Sequence, residues 1–79
     1  MGNVRPLDTK CWISFIEHHG FTESGRSKGS HHVWVKRNSP RPIPVWKNKK
    51  QIPVQHLKTG CFTIGCTLSE LFDWVDANC

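Results

Sequence analysis

Two adjacent histidines, His31 and His32, directly follow a glycine and a serine, Gly29 and Ser30. Imidazole has an unperturbed pKa near neutrality, so a histidine can take or give a proton under physiological conditions. The Gly- and Ser-rich stretch before the pair predicts a turn, and the alternating residues after it predict a half-buried strand. We therefore expect titratable side chains at a loop-to-strand junction, where the N–H groups of Gly29 and Ser30 could bind an anion.

Positive charge is concentrated around these histidines. From Ser24 to Ser69 the chain has no aspartate or glutamate, yet nine of its eleven lysines and arginines lie there. They are Arg26, Lys28, Lys36, Arg37, Arg41, Lys47, Lys49, Lys50 and Lys58. Because a solvated surface usually mixes both signs, this distribution indicates a site for a polyanion such as RNA. The alternative is an ordinary basic surface that keeps the protein in solution.

Cleaving RNA without a metal requires a base for the 2′-OH proton, an acid for the leaving 5′-oxygen and positive charge for the phosphorane. Either histidine could perform a proton transfer, and Arg26, Lys28 and Lys36 are predicted to stabilise the developing charge. The sequence predicts neither a metal ion nor a cofactor. The full predicted nucleic-acid-binding set is Arg26, Lys28, Gly29, Ser30, Lys36, Arg37, Arg41, Lys47 and Lys58.

The alternation after the histidines bears on which of them is accessible. It predicts that Val33 and Val35 face the core and that His32, Trp34 and Lys36 face the other side. On that pattern His32 points to solvent, whereas His31, at the very start of the strand, need not follow the alternation. The structural alternative for both is a histidine that only hydrogen-bonds the edge of the sheet.

The four cysteines, Cys11, Cys61, Cys66 and Cys79, permit a disulfide framework. No signal-peptide segment precedes them, and Cys11 and Cys61 fall in predicted helix interiors, so we expect reduced thiols in a cytoplasmic protein. A zinc site built from Cys61, Cys66 and histidines is a weaker alternative, because the gap between these cysteines matches no common ligand spacing. No apolar run approaches the roughly 18 residues of a membrane span.

The remaining patterns predict the elements of a single domain over residues 1–79. They indicate a loosely held lead over residues 1–7, a helix over 9–19, a strand at 21–23, a strand at 32–36 and a strand at 43–46. Pro44 within the last of these, and Pro42 just before it, make it an edge strand. A helix opens at Pro53 and a final one at the capping box Thr67–Glu70. The expected fold is α+β, with helices packed on one face of a three-stranded antiparallel sheet.

Several segments together resemble the HicA (YcfA-like) toxins of bacterial toxin–antitoxin pairs. They are Gly20-Phe21, Lys28-Gly29-Ser30-His31-His32-Val33-Trp34, Pro42-Ile43-Pro44-Val45, Ile52-Pro53 and His56-Leu57-Lys58-Thr59. The resemblance implies an α-β-β-β-α fold similar to a double-stranded-RNA-binding domain, with a C-terminal helix added. It also implies a metal-independent mRNA endoribonuclease that is neutralised by a HicB antitoxin.

The family's catalytic histidine follows Gly-Ser, which corresponds to His31, with His32 as its neighbour. This chain departs from the family in having Lys36-Arg37-Asn38 where His-Pro is frequent, so no second histidine is available there. Gly60 and Cys61 replace good helix formers and leave the second helix in doubt. The alternative function is a non-catalytic RNA-binding module of the same fold, and a zinc-stabilised protein-interaction domain is a third.

Overall fold

The secondary structure follows the predicted order closely. The structure, a computed structural model, describes residues 4–25, 31–39 and 41–79, with His31 described by its backbone alone. The strands are β1 Leu7–Asp8, β2 Thr22–Glu23, β3 His31–Val35, β4 Ile43–Trp46 and β5 Gln51–Ile52, and the helices are α1 Thr9–His18, α2 Val54–Ile64 and α3 Leu68–Asn78. The expected α+β class is confirmed. Among the described residues, no helix is long and apolar enough to cross a bilayer.

The main sheet is antiparallel, in the order β2-β3-β4, so β4 is an edge strand as its prolines predicted. The predicted inward face of β3 is wrong. Trp34 is 1% exposed and pairs with the buried Ile43, whereas Val35 is 39% exposed. The indole buries far more apolar area than a valine, and its N–H is satisfied by Glu17 Oε2 at 3.2 Å. His32, which has the same parity as Trp34, therefore lies on the inward side of the sheet, opposite Val45.

The second helix forms despite Gly60, because that glycine makes room for a tryptophan. A Cβ at position 60 would lie 2.3 Å from Cζ2 of Trp12, whose ring is buried at 1% exposure. Helix α2 can therefore approach α1 only without a side chain here. The glycine that put this helix in doubt is therefore required by the packing. The helix ends at Gly65, whose φ of 92° lies in the left-handed region that favours glycine.

The capping box at the start of α3 is confirmed. Thr67 Oγ1 accepts a hydrogen bond from the Glu70 N–H at 3.1 Å, and Glu70 Oε1 accepts one from the Thr67 N–H at 3.3 Å. Leu71, Phe72 and Val75 of this helix are buried in the core. This helix therefore begins where the local sequence specifies.

The expectation of a loosely held N-terminal lead is wrong for Leu7. This residue is 3% exposed and pairs with Ile52 in a two-stranded sheet formed by β1 and β5. The next residue, Thr9, donates from its N–H to the Lys50 carbonyl at 2.9 Å and from Oγ1 to the Lys49 carbonyl. These contacts attach the start of α1 to the turn between β4 and β5. Strands of two residues are too short for a periodic pattern, so the sequence did not reveal them.

The expectation of four reduced thiols is also wrong. Cys11 and Cys79 form a disulfide that joins the first turn of α1 to the end of α3, with their Cα atoms 6.4 Å apart. Cys61 and Cys66 are free thiols, and burial raises the pKa of Cys61 to about 12. Because 68 positions separate the bonded cysteines, only the packing of α1 against α3 brings them together.

Candidate functional site

One end of the main sheet brings together the start of β3 and the end of β4. The Cα of His31 lies opposite Trp46, and that of His32 opposite Val45. Lys47 follows Trp46 directly and begins the turn to β5. Both predicted catalytic positions are thus next to a lysine of the predicted binding set, and the pairing of the strands places them there.

His32 is held by a carboxylate that sequence analysis did not select. Nδ1 of His32 is hydrogen-bonded to Oε2 of Glu23, and Lys47 Nζ donates to the other oxygen, Oε1, at 3.2 Å. Glu23 pairs with Trp34 in the sheet, so its side chain shares the inward face and reaches His32 diagonally. We call these three residues, Glu23, His32 and Lys47, the histidine network.

The electrostatics of the histidine network keep its carboxylate ionised. The hydrogen bond from His32, followed by that from Lys47, holds the pKa of Glu23 below its usual value. The Lys47 ammonium also lies 5.4 Å from the centroid of the Trp34 ring, within the range of a cation–π contact. A carboxylate bonded to Nδ1 fixes the orientation of an imidazole ring.

A third imidazole lies near the same end of the sheet. His56, in the first turn of α2, has its ring centroid 5.4 Å from that of Trp46, the cross-strand neighbour of His31. Both rings line a small groove together with Pro42 and Pro44. The start of α2 therefore contributes a polar aromatic side chain beside the position of His31.

The other predicted binding residues lie elsewhere or outside the described residues. Lys36 follows the far end of β3, about 13 Å along the strand from His32, with Nζ 5.9 Å from the centroid of Phe21. Arg37 follows it, Arg41 lies in the connection to β4 and Lys58 lies on α2. Arg26, Lys28, Gly29 and Ser30 are outside the described residues. Of the predicted binding residues that the structure describes, Lys47 is the one that lies beside the histidine positions. The nucleic-acid contacts assigned to the other residues remain predictions.

The sequence contained a weak signal for Glu23. It is the last acid before the acid-free span, and it precedes the turn that leads to the histidines. Only the pairing of β2 with β3 shows that the two side chains share a face. Among the described residues, no group of three or more histidine, cysteine or acidic side chains is placed to hold a metal ion.

The fold and this site define a small α+β protein with imidazoles at one end of a three-stranded sheet, within a strongly basic region. The family model for the HicA toxin of bacterial toxin–antitoxin systems matches residues 12–59, and the chain belongs to this family. The match extends from α1 through the sheet into α2 and includes Glu23, both histidines and Lys47. Comparisons with curated proteins and with solved structures found no significant match.

Membership of this family makes the chain the toxin of a toxin–antitoxin system, with an antitoxin as its partner. The family is generally one of RNase toxins. The acid-free basic region and the histidine network are what this chain offers for such a role.

Proposed function

We propose that the protein is a metal-independent mRNA endoribonuclease in which one histidine of the adjacent pair, His31 or His32, acts as the general acid or base. The observation that carries this proposal is the histidine network, because it bonds the imidazole of His32 to a carboxylate that also accepts a hydrogen bond from Lys47. Family membership supports the assignment of RNA as substrate. The reaction takes place in the cytoplasm, where mRNA is found.

The proposed reaction is attack of a 2′-oxygen on the adjacent phosphorus. The catalytic histidine removes the 2′-OH proton, and the bond from phosphorus to the 5′-oxygen then breaks as that oxygen receives a proton from water. The products are a 2′,3′-cyclic phosphate and a 5′-hydroxyl. Lys47 lies next to His32 and would stabilise the extra negative charge of the phosphorane.

A non-catalytic RNA-binding module is the competing function. Phosphate binding alone would be served by lysine, which holds its charge at neutral pH. An imidazole oriented by a carboxylate is instead typical of acid–base catalysis. The histidine network therefore favours the enzyme over the binding module.

Single substitutions of the two histidines test this proposal. We expect one of the two variants, His31→Ala or His32→Ala, to lower the rate of RNA cleavage about 10²- to 10⁴-fold, the usual effect of losing a general acid or base. Affinity for a 2′-O-methyl RNA, which has no 2′-OH to react, should change little because phosphate contacts come from lysine and arginine. The 3′ ends of the products are analysed for the cyclic phosphate.

The two variants also separate the alternatives. If only His31→Ala abolishes cleavage, His32 is a structural residue and Glu23 has no catalytic importance. If neither substitution alters RNA half-life in cells, the binding module becomes the better proposal. His18→Ala, at the far end of α1, serves as a matched control and should cleave RNA like the wild type.

We further propose that the antitoxin is of the HicB type and that its acidic surface covers His31 and the basic residues from Arg26 to Arg41. Opposite charges steer association, and salt screens them beyond about 8 Å at physiological ionic strength. The association rate should therefore fall steeply between low and high salt, as measured by stopped-flow fluorescence. A complex that engages Asp73 and Asp76 of α3 and leaves RNA cleavage intact would contradict this arrangement.

A further inference from the structure

A basic cleft lies next to the histidine network, between the first half of α1 and the turn that joins β4 to β5. Its volume is about 620 Å³, and Lys10, Lys47, Lys49 and Lys50 line it. Ile13 contributes apolar surface and Asp8 a single negative charge. Four ammonium groups against one carboxylate leave the cleft strongly positive. Within the described part of the chain, the ion pairs are made by Arg5, His32 and Lys47 and involve none of Lys10, Lys49 and Lys50.

The backbone that carries two of these lysines is held in place. Thr9, 7% exposed, donates to the carbonyls of both Lys49 and Lys50. These bonds occupy the main chain of the turn and leave its lysine side chains exposed to solvent. The site is thus ordered before any ligand arrives, which lowers the entropic cost of binding.

Lys47 connects the cleft to the candidate active site. It lines the cleft and at the same time donates to Glu23, the carboxylate that is hydrogen-bonded to His32. A polyanion bound along the cleft would therefore continue past Lys47 to the histidines.

We propose that this cleft binds the phosphate backbone of the RNA strand on one side of the cleaved bond, with Lys10, Lys49 and Lys50 as its phosphate contacts. This inference rests on the proposed ribonuclease function and extends it. It assigns a path for the substrate along α1 and the β4–β5 turn. Lys49 and Lys50 lie in the acid-free basic span, but none of the three lysines belongs to the nucleic-acid-binding set predicted from the sequence.

The test measures binding of a single-stranded 2′-O-methyl RNA oligonucleotide over a range of salt concentrations by fluorescence anisotropy. Lys49→Gln combined with Lys50→Gln should weaken binding about tenfold near physiological salt. The slope of log affinity against log salt should fall by about 1.4, since each phosphate contact to a single strand contributes about 0.7. Thermal unfolding of the variant checks that its fold is retained.

A charge-matched control places two new carboxylates on α3, at positions that do not line the cleft. Ser69→Glu combined with Ala77→Glu on α3 changes the net charge by the same amount at two exposed positions. This variant should retain the wild-type salt slope. Equal weakening by both double variants would show a general charge effect and overturn the proposal, as would an unchanged slope in the lysine variant.

The cleavage assay separates failure of this inference from failure of the ribonuclease function. Cleavage by the wild type with no effect of the lysine substitutions on RNA binding rejects the cleft alone. A selective loss of RNA affinity in a protein that cleaves no RNA supports the cleft and rejects the enzyme. A lysine variant that loses only affinity for the antitoxin also rejects RNA as the ligand of the cleft.

Discussion

At the scale of single residues, Glu23 gives His32 a hydrogen-bond partner that the sequence does not show. It is bonded to Nδ1 of His32 and to Lys47, so one carboxylate interacts with two groups that can carry positive charge. The pKa of Glu23 is lowered chiefly by His32 and then by Lys47. The contribution of His32 therefore depends on the ionised carboxylate of Glu23.

Replacing Glu23 with Gln should remove a pH-dependent contribution to stability. A carboxyl whose pKa is lower in the folded state stabilises the fold above its unfolded pKa, here about 4.5, and this contribution is lost as the pH falls through the folded value. At neutral pH we expect Glu23→Gln to unfold at a lower temperature than the wild type. The difference should disappear in acid, and thermal melts from pH 7 to pH 2 measure it.

Asp73→Asn is the charge-matched control for this variant, because Asp73 is an exposed acid of α3 outside the histidine network. Its melting temperature should not reproduce the acid-dependent difference. A gap between the wild type and Glu23→Gln that stays constant down to pH 2 would mean that ionisation of Glu23 contributes nothing to the fold.

At the scale of elements, the packing of α2 against α1 depends on a glycine that helix propensity disfavours. Glycine in a helix costs about 1 kcal/mol relative to alanine, and Gly60 lies in the middle of α2. The indole of Trp12 occupies the space where its Cβ would be. Close approach of the two helices outweighs the local propensity because it buries Trp12 and Leu57 together in one core.

Gly60→Ala should therefore destabilise the protein although it improves the helix. Overpacking a rigid core site typically costs about 1–3 kcal/mol, which exceeds the gain in propensity. Denaturant unfolding of the variant gives the change in free energy. Adding Trp12→Phe should offset part of the loss, because phenylalanine lacks the ring atoms that meet the new methyl group.

Thr59→Ala serves as the control, since it alters an exposed neighbour on the same helix. Its effect should stay within about 0.5 kcal/mol, as is usual for surface positions. A Gly60→Ala variant as stable as the wild type would show that α2 can shift away from Trp12 at no cost.

At the scale of the whole molecule, the two ends of the chain are held against the same side of the domain. Strand β1 pairs with β5, and Cys11 is bonded to Cys79 at the end of α3. The disulfide closes a loop that contains most of the chain. It lies far along the sequence from the histidines and joins only α1 and α3.

Cys79→Ser should lower the free energy of unfolding by about 2–4 kcal/mol, because the disulfide restricts the unfolded chain over a separation of 68 residues. Denaturant unfolding with and without a reductant measures the effect. The wild type should lose stability on reduction, and Cys79→Ser should not respond. Cys66→Ser, which alters a free thiol, should still respond to the reductant. Identical midpoints for the wild type and Cys79→Ser in oxidising buffer would contradict the prediction.

The amino-acid sequence by itself determined the features that depend on a few neighbouring residues. The start of α3 follows from the Thr67–Glu70 capping box, and the edge position of β4 follows from its prolines. The extent of α1 follows from its apolar face and from the glycine that ends it. The family was also accessible, because the Gly-Ser-His-His segment and the segments around it stay in order along the chain.

Only the tertiary structure decided which face of β3 is buried and what surrounds the histidines. The pattern after His32 is apolar on both faces, so alternation could not choose between Val35 and Trp34. Long-range packing chose the tryptophan because it buries more area and because Glu17 satisfies its N–H. That choice placed His32 beside Glu23, and it depends on contacts between distant residues that no local pattern encodes.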